Sequence, residues 1–549
     1  MAVRPGCAIT FLVSLSVGCT GKLSTPAEES PIREVVPIEA QLCGDSPVTL
    51  LPRRLRRLTR REYLASVTSL LGEESPPPAG IVPDPVSNGY DNDADSLVVT
   101  RQLGDQLFAA AEHYSVRALS NLPRWTDCDP SMPDEACALA FIDRFAGEAY
   151  RRPLGDAERD RLLTVYRSGE EGSLASGLEL VIQAVLMSPA FLYRTELGAE
   201  TAGDVALTSH EVAALLSYMV AGGPPDAELR SAADEGRLDS PDEREAQVRR
   251  LFASGIGHQQ GWVRQWIGIR DLESVSKDPS TYPEFSPELR ASMAHDLDAF
   301  IQHTVTEHEG SHREFMTSPI AFADATLAPI LGLESTDPST PVMFADGEQR
   351  AGLLTRPAVL SRYAHPNESA PILRGVFVLR RLLCVELPDP PPDAEMDVEP
   401  PAPGLSTRER IDAHTSNDAC RGCHSRIDPI GFGFEQYDGI GRFRTEDQGV
   451  AVDALGEVIG IEGLTGPFSG GSELGVRLAE SEAAQRCFVR EAVRYARGRH
   501  PEDGTEGCDY APIFDTVPDG DPTMLEVLVA LSRSEDFFRR TTTAAGGGQ

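Results

Sequence analysis

The sequence predicts a mainly α protein, a multi-helical assembly followed by a small C-terminal module with a short β-hairpin. Apolar residues recur at helical spacing along most of the chain to about residue 335, often behind a capping signal. The stretch "LPDPPPDAEMDVEPPAPG", residues 387–404, is too proline-rich for a helix or central strand and reads as an extended surface linker. With 549 residues, 41% hydrophobic and 25% charged, the chain has ordinary globular composition and length for several domains.

The chain opens "MAVRPGCAITFLVSLSVGCTGK", in which Arg4 precedes an apolar run from about Cys7 to Val17. That run is too short to span a bilayer as a mature helix, so residues 1–19 read as an export signal. Its end, "LSVGC", resembles a bacterial lipoprotein cleavage site and makes Cys19 the candidate for lipidation. Ser16 stands where that motif usually has an aliphatic residue, and ordinary signal cleavage is the alternative. A polar tether follows over 20–45.

The first helical domain is expected over 46–125. Its basic run, "RRLRRLTRR" at 53–61, reads as the start of an amphipathic helix. Thr59 and Glu62 have capping-box spacing, and Tyr63, Val67 and Leu70 share a face. The arginines are expected to meet the protein's own carboxylates, because 85 acidic against 50 basic residues give a net charge of -35. Such a surface repels phosphate backbones, which argues against nucleic-acid binding. Asp91, Asp93 and Asp95 in "DNDAD" lack the glycine and closing glutamate of a calcium loop and read as a solvated turn.

A second helical domain, 126–200, places Phe141, Ile142, Phe145 and Ala149 on one stripe before Asp156 opens another helix. "LELVIQAVLMSPAFLYR" contains Glu179, Gln183 and Pro189 and reads as a buried helix, not a membrane span. The large helical domain, 201–335, has a capping box at Thr208 and Glu211 ahead of Val212, Leu215, Leu216 and Met219, with Gly222 and Gly223 to stop that helix. Ser286 and Pro287 cap another that carries Leu289, Met293, Leu297 and Phe300, while Trp262 and Trp266 read as core. Residues 336–386 lead to the linker, and 405–549 form the C-terminal module. There "VAVDALGEVIG" suggests a hairpin around Gly456, and "AAQRCFVREAVRYARGR" and "TMLEVLVALSRSEDFF" close the chain as helices.

With Cys7 removed and Cys19 lipidated, eight cysteines remain, an even set that suggests pairing in an oxidising compartment. Cys128 and Cys137 flank a turn-rich loop and are the easiest pair. If Cys420 and Cys423 serve a cofactor, Cys43, Cys384, Cys487 and Cys508 allow three connectivities.

The chemistry-bearing motif is Cys420-Arg-Gly-Cys423-His424. Covalent haem attachment needs two thiols spaced to reach the vinyl groups and an adjacent imidazole beneath the iron, and an exported chain fits it. A zinc site needs two further ligands at suitable spacing, and a redox CxxC usually follows a strand in an α/β pattern. The motif itself leaves haem c, a disulfide and a metal site open.

The segment "CRGCHSRIDPIGFGFEQYDGIGRFR" resembles the motif block of the planctomycete- and myxobacterial-type cytochrome c-like proteins built from serial domains of unknown function. "RRLTRREYLASVTSLLG" is similar to their opening domain, and "FAGEAYRRPLGDAERDRLL" to a second. "LVIQAVLMSPAFLYRTELG" with "LTSHEVAALLSYMVAGGPPD" is similar to the large helical domain. "RAGLLTRPAVLSRYAHPNESAPILRGVFVLRRLLC" resembles the start of the haem-motif domain, and "CFVREAVRYARGR" the closing one.

This resemblance implies an exported, mostly helical protein whose C-terminal module is cytochrome c-like, with covalent haem c on Cys420, Cys423 and His424 and no established substrate. His365 and His414 match family positions; His365 is favoured as second axial ligand, with Met396, His414, His500 and Met524 as the other candidates. The resulting expectation is electron transfer with a redox partner protein, as a relay or as the haem domain of an oxidoreductase. The alternative is a non-catalytic envelope protein in which the CxxCH is a disulfide or metal site. Either would be periplasmic or anchored at the outer membrane through lipid alone. Mass spectrometry of the mature N-terminus should find a diacylglyceryl group on Cys19; cleavage elsewhere, or an unmodified Cys19, refutes the anchor.

Overall fold

The computed structural model describes residues 50–72, 80–128, 134–169, 173–199, 201, 203–270, 272–334, 337–344, 349–388, 398–499, 510, 512–517 and 520–542. The signal, Cys19, the tether, Cys43, half of the proline-rich stretch with Met396, His500 and Cys508 lie outside them. The fold is mainly α, with only short strands in two-stranded pairs and one three-stranded sheet among the described residues, as the sequence predicts. No described helix is long and apolar enough to cross a membrane.

Local capping signals set the helix starts. Both halves of the box form at Thr59 and Glu62, opening Arg60–Leu71, and at Thr208 and Glu211, opening Ser209–Val220. Ser286 caps Pro287–His308, and Glu135–Tyr150 buries the expected stripe of Phe141, Ile142, Phe145 and Ala149. Trp262 and Trp266 are core residues, their rings stacked 5.7 Å apart.

Three expectations are corrected. Arg54–Arg57 is not helical but a strand paired antiparallel with Tyr193–Glu196, so the helix starts only after Thr59. Its arginines do find carboxylates: Arg57 with Asp84 at 2.6 Å and Arg54 with Asp95 at 3.8 Å. Gly456 lies inside the strand Leu455–Val458, which pairs with the later strand Gly466–Ser469. A Cβ there would sit 2.3 Å from the Phe468 ring, so this glycine admits an aromatic side chain rather than making a turn. The "DNDAD" segment is docked, not solvated. Asn92 donates to the Tyr495 carbonyl at 2.8 Å, and the Asp91 amide donates to Gln265.

Two hydrophobic cores organise the chain. One gathers residues between Leu58 and Leu192 with Tyr218. The other is continuous from Leu207 to Phe538 and also takes in Tyr90, so the C-terminal segment shares a core with the large helical region. The strand Arg539–Thr541 returns to pair with Leu51–Pro52 and Val205–Ala206, tying the last described segment to the first.

Across the linker, Pro371–Phe377 packs directly on Asp418–Phe432, the helix that carries the CxxCH. Glycines on both partners permit this approach. A Cβ at Gly375 would meet the Ile427 carbonyl at 2.2 Å, and one at Gly431 would meet the Pro371 carbonyl at 2.0 Å. The contact is locked by Arg374, 1% exposed, which donates to the carbonyls of Phe434, Tyr437 and Asp438 at 2.7 to 2.9 Å. Burial pushes this guanidinium down to about 10, and burial also raises the Glu435 carboxyl beside it. Arg374 therefore stays charged at neutral pH and holds the loop chiefly through hydrogen bonds.

Replacing Arg374 by Met leaves those carbonyls buried without a donor. We expect a loss of about 3–5 kcal/mol, with Arg374→Lys recovering only part because an ammonium lacks the planar fork. Thermal and denaturant unfolding of both variants checks this.

Candidate functional site

The CxxCH begins the helix Asp418–Phe432. Asn417 ends the preceding connection, and its side-chain oxygen accepts the Cys420 amide at 3.1 Å, which sets the first turn. Cys420 and Cys423 are one helical turn apart, half-buried and both free thiols. Cys423 packs against the larger core.

His424 is held by two residues. Its Nδ1 lies 2.9 Å from Asp428 Oδ1, one turn further along the same helix. Asp428 is itself fixed by Thr415, the last residue of the helix Thr407–Thr415. The single Thr415 hydroxyl proton is within reach of Asp428 Oδ2 at 2.7 Å and of the Ile411 carbonyl at 2.9 Å. With Nδ1 as the donor to this carboxylate, the lone pair of the neutral ring resides on Nε2. Nε2 makes no hydrogen bond among the described residues. The arrangement offers two thiols and one oriented imidazole nitrogen from the start of one helix.

The second-ligand candidates are scattered. His365 lies in an exposed turn whose carbonyls at 364 and 365 accept from Lys277 at 3.1 and 2.9 Å. Burial and the Arg374 charge push the Lys277 ammonium down to about 7. Further along that turn, Ser369 donates to Glu435. Pro371 then meets Gly431 while Gly375 meets Ile427, so the two helices run antiparallel. The helix that follows His365 therefore meets the motif helix near Gly431 first and near Ile427 next. His414 sits half-buried in the last turn of its helix, its carbonyl accepting from Asn417. Met524 is buried against Gly310 in the larger core. Met396 and His500 fall outside the described residues.

Of the other cysteines, Cys128 pairs with Cys137 as expected, and Cys384 with Cys487, which selects among the three connectivities. Two disulfides point to an extracellular or periplasmic setting. Among the described residues no group of three or more His, Cys, Asp or Glu side chains is gathered for a metal ion. Sequence reasoning missed Asp428 and Thr415. Asp428 carried a usable signal, a carboxylate four residues after a histidine on one helix face; Thr415 carried none, because its contact depends on how two helices meet.

Four family models match the chain in series. Residues 56–120 match a protein of unknown function (DUF1587), 137–196 another (DUF1595), 207–333 a third (DUF1592) and 350–447 a fourth (DUF1588). The segment "LVIQAVLMSPAFLYRTELG" falls mostly inside the 137–196 match, rather than with the large helical domain to which it was likened. The last match runs through the proline-rich stretch, which agrees with the packing across it. No curated protein and no solved structure matches the chain.

In protein made without haem attachment, alkylation under native, non-reducing conditions should label Cys420 and Cys423 and spare Cys128, Cys137, Cys384 and Cys487. Peptide mass spectrometry reads the pattern; protection of Cys420 and Cys423 would mean that they are bonded to each other.

Proposed function

We propose that this chain of four serial domains of unknown function is an exported c-type haem protein that passes electrons. Cys420 and Cys423 would hold the haem covalently, and His424 Nε2 would ligate its iron. The observation that carries the reading is the combination of two unpaired thiols, in a chain whose other described cysteines are disulfide-bonded, with a histidine tied through Nδ1. A disulfide role for this CxxCH lacks the bond, and a zinc role lacks described ligands to complete a tetrahedral set.

The residues present fit the group. Each thiol would supply one sulfur to a thioether, and their one-turn spacing would give both the same approach. Asp428 keeps the proton on His424 Nδ1, and the hydrogen bond makes Nε2 a stronger donor and fixes the ring plane. Thr415 anchors that carboxylate to the neighbouring helix, so the ring cannot swing without moving two helices. A haem held in this way supplies reversible one-electron chemistry. The net charge of -35 favours a redox partner with a basic docking face.

The test uses the full chain exported in a host with haem-attachment machinery. After denaturing electrophoresis a peroxidase-based haem stain should mark wild type and not Cys423→Ala. An unstained wild type ends the proposal. Asp428→Asn should still stain, with iron–imidazole affinity reduced about 10–100-fold, read as growth of high-spin absorption.

A further inference from the structure

The helix that carries the CxxCH also carries an arginine that holds no part of the fold. Arg426 stands two residues after His424 in Asp418–Phe432. It is half-buried and forms no hydrogen bond or ion pair among the described residues. Its Nε and Nη2 are shut off from solvent without an acceptor.

The motif helix packs on the strand Leu455–Val458, and the guanidinium lies against the turn that follows this strand. A Cβ on Gly460, a residue with φ +71°, would stand 3.9 Å from both Nε and Nη2. Glu457 and Glu462 flank that turn, but both are exposed and neither pairs with Arg426.

Neighbouring arginines behave differently. Arg374 donates to three carbonyls, Arg444 pairs with Glu435 and Asp447, and Arg410 pairs with Glu368. Each of those guanidinium groups secures a piece of the chain. Shielding two Arg426 nitrogens costs stability with no contact to offset it. Where a chain breaks a folding rule without compensation, a functional reason is expected.

The opposite charge on the same helix belongs to Asp428, whose carboxylate lies 2.9 Å from His424 Nδ1. A carboxylate at that place stabilises the more positive, oxidised state of a metal on Nε2. A positive charge two residues from the same histidine acts in the other sense.

We infer that Arg426 tunes the reduction potential of a haem held by His424, its unneutralised charge keeping that potential above the value the Asp428 carboxylate alone would impose. The inference rests on the haem reading of Cys420, Cys423 and His424. An arginine keeps its proton in proteins, so the charge is permanent. Salt screens a shielded charge much less than an exposed one. At an effective dielectric of about 20, a unit charge about 15 Å away shifts a one-electron equilibrium roughly sixfold.

The full chain is exported with haem attached, and its midpoint potential is measured by spectroelectrochemical titration at low and high salt. Arg426→Gln should lower the reduction equilibrium constant about three- to tenfold, tenfold being about 59 mV for one electron. The shift should persist at high salt. Arg426→Lys keeps the charge and should stay within about twofold of wild type. Gly460→Asp brings a carboxylate to the guanidinium and should lower the potential, whereas Gly460→Asn, equally tolerant of positive φ, should not. The thermal midpoint of Arg426→Gln should not fall, because no hydrogen bond is lost. A haem-stained protein whose potential is unmoved by Arg426→Gln, or moved as far by Arg426→Lys, overturns the inference. If Arg426→Gln does not fold, the two Gly460 variants decide, and equal potentials overturn it. An unstained wild type removes the haem reading and this inference with it, so the stain tells the two failures apart.

Discussion

The packing of the CxxCH helix depends on one buried guanidinium. Arg374 reaches from Pro371–Phe377 into the loop after Asp418–Phe432 and donates to three of its carbonyls. That loop, "GFEQYDGIGRFR", is rich in glycine and has no strand or helix to satisfy its backbone. A buried loop of this kind needs external donors, and an arginine supplies five in a fixed fork. Glu435 adds a second layer, accepting from Ser369 and Arg444, and Arg444 continues to Asp447. Because the Asp447 side chain also accepts the Thr407 amide, the same network positions the helix that ends in Thr415. The orientation of His424 is thus the last link of a chain that starts at Arg374.

The same device recurs at other places where the described residues bury irregular backbone. Arg151 donates to the carbonyls of Ala190, Phe191 and Tyr193; Arg350 to those of Thr355, Ile330 and Gly441; Arg244 to those of Leu238, Asp239 and Ser532. With 48 glycines and 42 prolines, the chain has many connections that cannot satisfy themselves by helix or sheet. Guanidinium groups replace the missing donors. Arg56 departs from this pattern, having two long contacts and an adjacent cavity where the others have a full set of carbonyls.

What could be read in the sequence was what local spacing determines. The capping boxes at Thr59 and Thr208 form because cap and partner are three residues apart, and the Phe141–Ala149 stripe is buried because its period is helical. The strand at Arg54–Arg57 looked helical because its partner, Tyr193–Glu196, lies more than a hundred residues away and leaves no local trace. Gly456 likewise read as a turn because the Phe468 ring it accommodates belongs to another strand. At the site, Cys420, Cys423 and His424 were legible as a motif and Asp428 left a signal four residues on, but the roles of Thr415 and Arg374 were not legible. Arg374 binds carbonyls, and a carbonyl has no side-chain identity to recognise. His365 was favoured on pattern alone, and its turn rests on Lys277 through backbone carbonyls.

The same geometry bears on how a haem at this site would behave. His424 is restrained through Asp428 to a second helix, and that helix is joined to the Arg374 network, so reorganisation at the histidine side would be small. Small reorganisation favours electron transfer, in which the ligands must keep their positions in both oxidation states. Among the described candidates, Met524 is buried in the larger core beside Gly310, and the turn of His365 holds Lys277 through its carbonyls. A restrained His424 is what the carrier reading proposed for this site would need. The Gly375–Ile427 and Gly431–Pro371 contacts leave no room for even one added carbon, so the helix that presents His424 is itself fixed against its neighbour.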